Sequence, residues 1–135
     1  MKIKKKCVEK LTDSRIKCEE NKRKIVFINS NRKTINRIKV DNCQIIDGVK
    51  CDFLVTYEKI ENFIELKGEN IKHAFAQIIR TITMLGNKNL QNRNSYIISS
   101  RSPLSSTEIQ NQRIKFKRKY NSTLIIKNGS IEIEI

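Results

Sequence analysis

The residues of this chain best suited to chemistry are Asp52 and, after twelve intervening residues, the run Glu65-Leu66-Lys67. In an extended strand residues i and i+2 share a face, so Glu65 and Lys67 point one way and Leu66 the other. Cys51-Asp52-Phe53-Leu54-Val55-Thr56-Tyr57 reads as a strand, and Asn62-Phe63-Ile64-Glu65-Leu66-Lys67 as its hairpin partner across a four-residue loop, Glu58 to Glu61. That loop sets Tyr57 against Asn62 and Asp52 against Lys67, with Glu65 the diagonal neighbour of Asp52 at roughly 7–8 Å. The opposite face carries Cys51, Phe53, Val55, Ile64 and Leu66, an apolar set fit for a core. Two carboxylates and one ammonium on one face suit phosphodiester hydrolysis. The carboxylates hold Mg²⁺ with water positions left open, and the metal lowers the pKa of a bound water. The lysine orients that water and stabilises the charge that develops on the phosphoryl group.

The charge balance favours a polyanionic substrate. Against 14 Asp and Glu stand 28 Lys and Arg, a net charge of +14, and the sequence pI is near 9.9. Ile, Lys and Asn dominate, and Ala occurs only at positions 74 and 76. Such a bias raises Lys without any binding role, yet the uncompensated positive field still attracts nucleic acid. A membrane partner is not expected: no apolar run approaches the ~20 residues that span a bilayer, and no stretch is a strong basic amphipath. A basic opening, Met1-Lys2-Ile3-Lys4-Lys5-Lys6, has no apolar stretch behind it and does not read as a secretory signal. The expectation is a single cytoplasmic domain over residues 1–135. Cys7, Cys18, Cys43 and Cys51 lack C-x-x-C spacing, and His73 is the only histidine. Free, partly buried thiols are therefore expected, with no zinc site.

Elements that must position the hairpin follow from periodicity. Residues 7–20 read as a helix, with Val8, Leu11 and Ile16 at roughly helical intervals. Ile25 to Ile28 is a strand, and Ile35 to Ile45 is extended as far as the Asp47-Gly48 turn. From Asn70 to Leu85, Ala74, Phe75, Ile78, Ile79, Ile82 and Leu85 make one apolar stripe, with His73, Gln77, Arg80, Thr81 and Met84 on a neighbouring polar face. Ser95 to Ser100 is a strand, and a right-handed crossover returns it parallel to strand 62–67. Thr107 to Tyr120 is a second helix, and Thr123 to Ile135 is a terminal hairpin turning at Asn128-Gly129. The class is α/β or α+β with a central mixed β-sheet flanked by helices.

Asp52, with Glu65-Leu66-Lys67 on the partner strand, resembles the motif of the PD-(D/E)XK, or restriction-endonuclease-like, nuclease superfamily. That superfamily has an α-β-β-β-α-β core, which matches the reading of residues 7–100 and leaves the C-terminal helix and β-hairpin as additions. Cys51 stands where the family often has a proline. The resemblance implies a hydrolase, a Mg²⁺-dependent nuclease of deoxyribonuclease type (an endonuclease among the family's activities), with DNA favoured over RNA and Mn²⁺ able to substitute. It implies Asp52 and Glu65 as metal ligands, Lys67 as the water's partner, Gln77 as the helix glutamine that faces the site, and Glu20, or less so Glu19, as a carboxylate reaching the metal from the first helix.

Other candidates concern binding. Arg101 is placed to emerge near Lys67 and clamp a phosphate. Arg80, and the basic helix bearing Arg113, Lys117 and Arg118, offer contacts to the nucleic-acid backbone. His73 is a weaker candidate on the same face as Gln77. Cutting both strands of a duplex needs two sites, so a homodimer is expected if duplex DNA is cut on both strands, with Ile131, Ile133 and Ile135 as its apolar edge. The alternatives to a nuclease are a non-catalytic basic nucleic-acid-binding module, or a small nuclease subunit or effector targeted by a partner protein.

Overall fold

The computed structural model of the chain describes residues 1–67, 70–89, 92–100 and 104–135, with Lys67 described by its backbone alone. After a short 3₁₀ turn at Lys5–Cys7 come β1 (Val8–Leu11), β2 (Arg15–Glu20), β3 (Arg23–Ile28), β4 (Ile35–Lys39), β5 (Phe53–Tyr57) and β6 (Ile60–Lys67). Then follow α1 (Ile71–Leu85), β7 (Asn92–Ser99), α2 (Ser106–Tyr120), β8 (Thr123–Asn128) and β9 (Ser130–Glu134). The class is mixed α/β. A six-stranded sheet runs β1-β4-β5-β6-β7-β8, and a three-stranded sheet runs β2-β3-β9. The large sheet is mixed, antiparallel through β6 and parallel from β6 to β8.

Alternation along the central strands builds three layers. Leu54, Phe63, Ile97 and Leu124 join one apolar cluster with Ala74, Phe75, Ile78 and Ile82 of α1 and Phe116 of α2. Their neighbours Val55, Ile64, Tyr96 and Ile98 join a second cluster with Ile16, Cys18, Ile25 and Phe27 of the small sheet. Both faces of the central strands are therefore covered, which is why β5, Phe53-Leu54-Val55-Thr56-Tyr57, reads as a nearly continuous apolar run. Burying each large side chain contributes about 1.5–3 kcal/mol.

The helix expected over 7–20 is instead the 3₁₀ turn, β1 and β2. Ile16 and Cys18 are buried while Arg15, Lys17 and Glu19 are exposed, a period of two that pairs β2 with β3. Asn21 and Lys22, with φ of 49° and 69°, make the tight turn between them. The extended reading of 35–45 holds only to Lys39; beyond it Cys43 and Ile45 donate to the Val40 carbonyl in a compact loop. The terminal hairpin is also overturned. Only Gly129 separates β8 from β9, too few residues to fold one strand back on the other. Gly129, at φ 76°, carries the chain between sheets, donating to the Ser99 carbonyl and accepting from the Lys24 amide. β9 then pairs parallel with β3, and its isoleucines rest half-buried on the second cluster. Their side chains are thus partly covered, while the outer side of β9 remains the edge of the small sheet.

Cys7 and Cys43 form a disulfide, while Cys18 and Cys51 are buried free thiols. The expectation of four free thiols fails because the fold brings together two cysteines 36 residues apart, a proximity that spacing does not reveal. Among the described residues no helix is long and apolar enough to cross a membrane.

Candidate functional site

The β5–β6 hairpin turns on two residues. Tyr57 pairs with Ile60, Val55 with Asn62 and Phe53 with Ile64, because Glu58 adopts φ 52° and closes the turn early. The register is shifted by two from a four-residue loop. Pairing ends at Phe53, and the Asp52 amide also turns onto Ile64, which brings the Asp52 carboxyl to Glu65 and Leu66 and not to Lys67. A shift of two preserves the faces: Phe53, Val55, Ile64 and Leu66 lie together on the small-sheet side. Cys51 is the exception, turning into the helix-side cluster.

Asp52 is fixed from three directions. Its amide donates to the Ile64 carbonyl at 3.0 Å, and its carbonyl accepts from the amides of Val40 at 3.0 Å and Asp41 at 3.3 Å. The Leu66 amide donates to its carboxylate at 2.8 Å. Helix α1 holds the preceding residues: the Cys51 amide donates to the Thr81 hydroxyl at 2.9 Å, and the Gln77 side-chain amide donates to the Lys50 carbonyl at 3.1 Å. Thr81, read as part of a polar face, is thus buried at the joint.

Glu65 is 2% exposed, and its side chain hydrogen-bonds the Asp52 carboxyl. Burial pushes the Asp52 carboxyl up to about 6; the charges of Glu20 and Asp41 push the same way, opposed by the hydrogen bonds from Leu66 and Glu65. The pair accordingly retains a proton at a pH where ordinary carboxylates have lost theirs. Asp52 opens into a cavity of about 330 Å³, whose other acidic lining residues are Glu19, Glu20 and Asp41, with Lys39 the cation among them.

Glu20 therefore borders the site as expected, but from the end of β2 and not from a helix. Asp41 was missed by sequence reasoning. Its signal was topological, since pairing β4 with β5 brings the residue after Val40 beside Asp52. Gln77 does not line the cavity; its buried amide steadies the Lys50 carbonyl, so it positions the strand that bears Asp52. Lys67 ends β6 level with Ser99 on parallel β7, and its side chain lies outside the described residues, as does all of Arg101.

The expected binding residues are not brought together. Both carbonyls that the Arg80 guanidinium meets, Asp47 at 3.1 Å and Val49 at 2.6 Å, belong to the loop before β5. Arg113 reaches the Leu124 carbonyl at 3.5 Å. Lys117 and Arg118 are exposed on the last turn of α2, whose end Tyr120 receives Arg93 from the start of β7. Arg93 pairs with Glu61 at the start of β6, four residues and roughly 13 Å from Glu65. The basic helix end and the carboxyl pair thus occupy opposite ends of the sheet. His73 is exposed in the first turn of α1, where its backbone amide is capped by Asn70. Cations that border the acidic end are Lys39, Lys50 at 3.7 Å from Asp41, and Arg23, which donates to the Ser100 hydroxyl at 2.9 Å.

As a donor set, Asp52 and Glu65 offer only carboxylate oxygen, which suits a hard divalent cation that keeps several waters. Among the described residues no three His, Cys, Asp or Glu side chains converge into a full protein cage. No family model matches this chain, and no curated protein or solved structure is significantly similar to it.

Proposed function

We propose that the protein is a divalent-metal-dependent nuclease of the PD-(D/E)XK type, acting on nucleic acid with DNA favoured. The observation that carries this reading is the contact between the carboxyl of Asp52, which lines an acidic cavity, and that of buried Glu65 behind it, in a chain of net charge +14. Once the proton between them is lost, the two carboxylates repel at a cost that a cation would relieve. Bound there, Mg²⁺ or Mn²⁺ supplies charge neutralisation for a phosphate and acidifies a water.

Asp52, its carboxylate aimed by the Leu66 amide, and Glu65 beside it are the ligands, and Glu20 borders the open side. Lys67, two residues beyond Glu65, takes the role of orienting the attacking water that its place in the motif implies. Gln77 acts through the Lys50 backbone. Cleavage of both strands of a duplex calls for two copies, and β9, at the edge of the small sheet, is the strand a second copy would extend.

The test is incubation of the purified protein with plasmid, linear, single-stranded and branched DNA and with RNA, each with and without Mg²⁺ or Mn²⁺. Metal-dependent cleavage that disappears in Asp52→Asn supports the reading. Nucleic-acid binding without cleavage under every condition would replace it with a non-catalytic binding module.

A further inference from the structure

Helices α1 and α2 pack on β6, β7 and β8, which leaves the same face of β1, β4 and β5 without a helix. The registers of these strands arrange that face in two rows. Val8 pairs with Ile38 and Ile38 with Leu54, so one row is wholly apolar. Two residues away, Lys10 pairs with Asn36 and Asn36 with Thr56, so the next row is wholly polar. Ile3 from the N-terminal segment and Leu85 from the end of α1 wall the apolar side, enclosing a groove of about 610 Å³. That volume lies within the roughly 300–1,000 Å³ of small-molecule sites.

The charge of the groove is one-sided. Among the described residues its charged lining residues are Lys5 and Lys10; Glu61, opposite Thr56 in the next strand, is buried and paired with Arg93. Glu9, the carboxylate nearest in sequence, pairs instead with Arg37. Asn36 donates to the Thr56 hydroxyl across the polar row, giving that end a fixed set of amide and hydroxyl groups beside the ammonium. An apolar floor that passes into a cationic, hydrogen-bonding row is complementary to a molecule with the same division.

We propose that this groove binds a small amphiphilic anion, a medium-length acyl chain lying on Val8, Ile38 and Leu54 with its carboxylate beside Lys10. Ile38 and Leu54 are already buried, so the chain gains by covering the half-exposed Ile3 and Val8 at the groove wall. The head group meets Lys10 at the exposed rim of the groove, where the ammonium gives a charge-assisted hydrogen bond. This site is separate from the Asp52–Glu65 pair, and neither assignment depends on the other.

The probe is sodium decanoate, titrated below its micellar concentration into the full chain and followed by calorimetry and by amide chemical shifts. We expect saturable binding of one decanoate per chain, with shifts centred on Val8, Lys10, Ile38 and Thr56. Lys10→Glu should weaken binding at least tenfold while leaving the thermal melt in place, and Val8→Asp, at a half-buried position packed on the core, should weaken it as much while lowering the melt. Lys127→Glu makes the same charge change on exposed β8 and should leave the affinity unaltered. Decanol, which lacks the anionic head, should bind at least tenfold more weakly. Equal affinity in wild type and Lys10→Glu, uptake of many decanoates per chain, or no saturable binding would overturn the proposal. So would a chain that dimerises through this face and becomes monomeric in Val8→Asp.

Discussion

The carboxyl of Asp52, just before β5, hydrogen-bonds the Glu65 side chain on the adjacent β6, and the amide of the next residue, Leu66, reaches back to the Asp52 carboxylate at 2.8 Å. One strand thus supplies both the second carboxyl and the donor that aims the first. Substitutions at the two positions should separate chemistry from stability in a defined way.

At Asp52, Asn keeps an acceptor for the Leu66 amide and Ala does not. Asp52→Ala should lose about 1–3 kcal/mol of folding stability, the cost of a buried donor left unpaired, and Asp52→Asn clearly less. Both should abolish metal-dependent cleavage, as should Glu65→Gln and Lys67→Ala. Denaturant midpoints and a plasmid-nicking assay measure the two effects. Full cleavage by Lys67→Ala with an unchanged circular dichroism spectrum would sink the assignment of the lysine.

The raised Asp52 pKa makes a pH prediction with a definite sign. The carboxyl titrates near 6 in the folded chain, against an ordinary value of 3.8, so between those values the folded state binds more protons than the unfolded one. Its contribution is fully present below about pH 4 and is lost as pH rises through about 6, on the order of 3 kcal/mol in all. Urea titrations of wild type and Asp52→Asn between pH 4 and 7.5 isolate it as a difference of slopes. Added Mg²⁺ should reverse the trend, since cation binding needs the deprotonated pair and releases its proton.

At the other end of the sheet, Glu61 and Arg93 form an ion pair whose side chains are only 5% and 10% exposed. Arg93 also donates to the carbonyls of Asn87 and Tyr120, joining the ends of both helices. Removing either partner strands a buried charge. Arg93→Ala and Glu61→Ala should each destabilise by about 3–5 kcal/mol. Calorimetric Mg²⁺ binding, read at a temperature where the variants remain folded, should not change.

If the last turn of α2 touches nucleic acid, replacing Arg113, Lys117 and Arg118 with Ala should reduce the slope of log affinity against log salt by roughly 2–3, about one for each phosphate no longer neutralised. Fluorescence anisotropy with labelled DNA reads it directly. An unchanged slope would reduce α2 to a solvated face and move the binding surface to Arg23, Lys39 and Lys50 around the acidic cavity.

Much of the frame was legible because periods are local. The stripe from Ala74 to Leu85 and the apolar alternation of β5 and β6 each repeat within a single element, and α1 and β6 lie within a residue or two of where those patterns put them. Failures came where tertiary pairing decides. Val8, Leu11 and Ile16 imitate a helical spacing, yet Ile16 and Cys18 are held by β3 at a period of two. The turn at Glu58 moved the register by two residues, which left the carboxyls on one face but exchanged the partner of Asp52. Direction was illegible too: no pattern within α2 shows that its basic last turn lies against the start of β7, away from Glu65.

The single glycine between β8 and β9 has a consequence for how the molecule is made. Strand β3 must wait for a partner about a hundred residues further along the chain, and until that strand arrives β2 and β3 form an isolated hairpin, a unit marginal in water. Glu20 sits at the end of that hairpin, so the outer wall of the acidic cavity is carried by the sheet that is the last to be completed. Pairings of such long range are slow to form. A nascent or clipped chain lacking β9 would keep the Asp52–Glu65 pair on its six-stranded sheet but leave the edge of β3 bare, a template for another chain's strand.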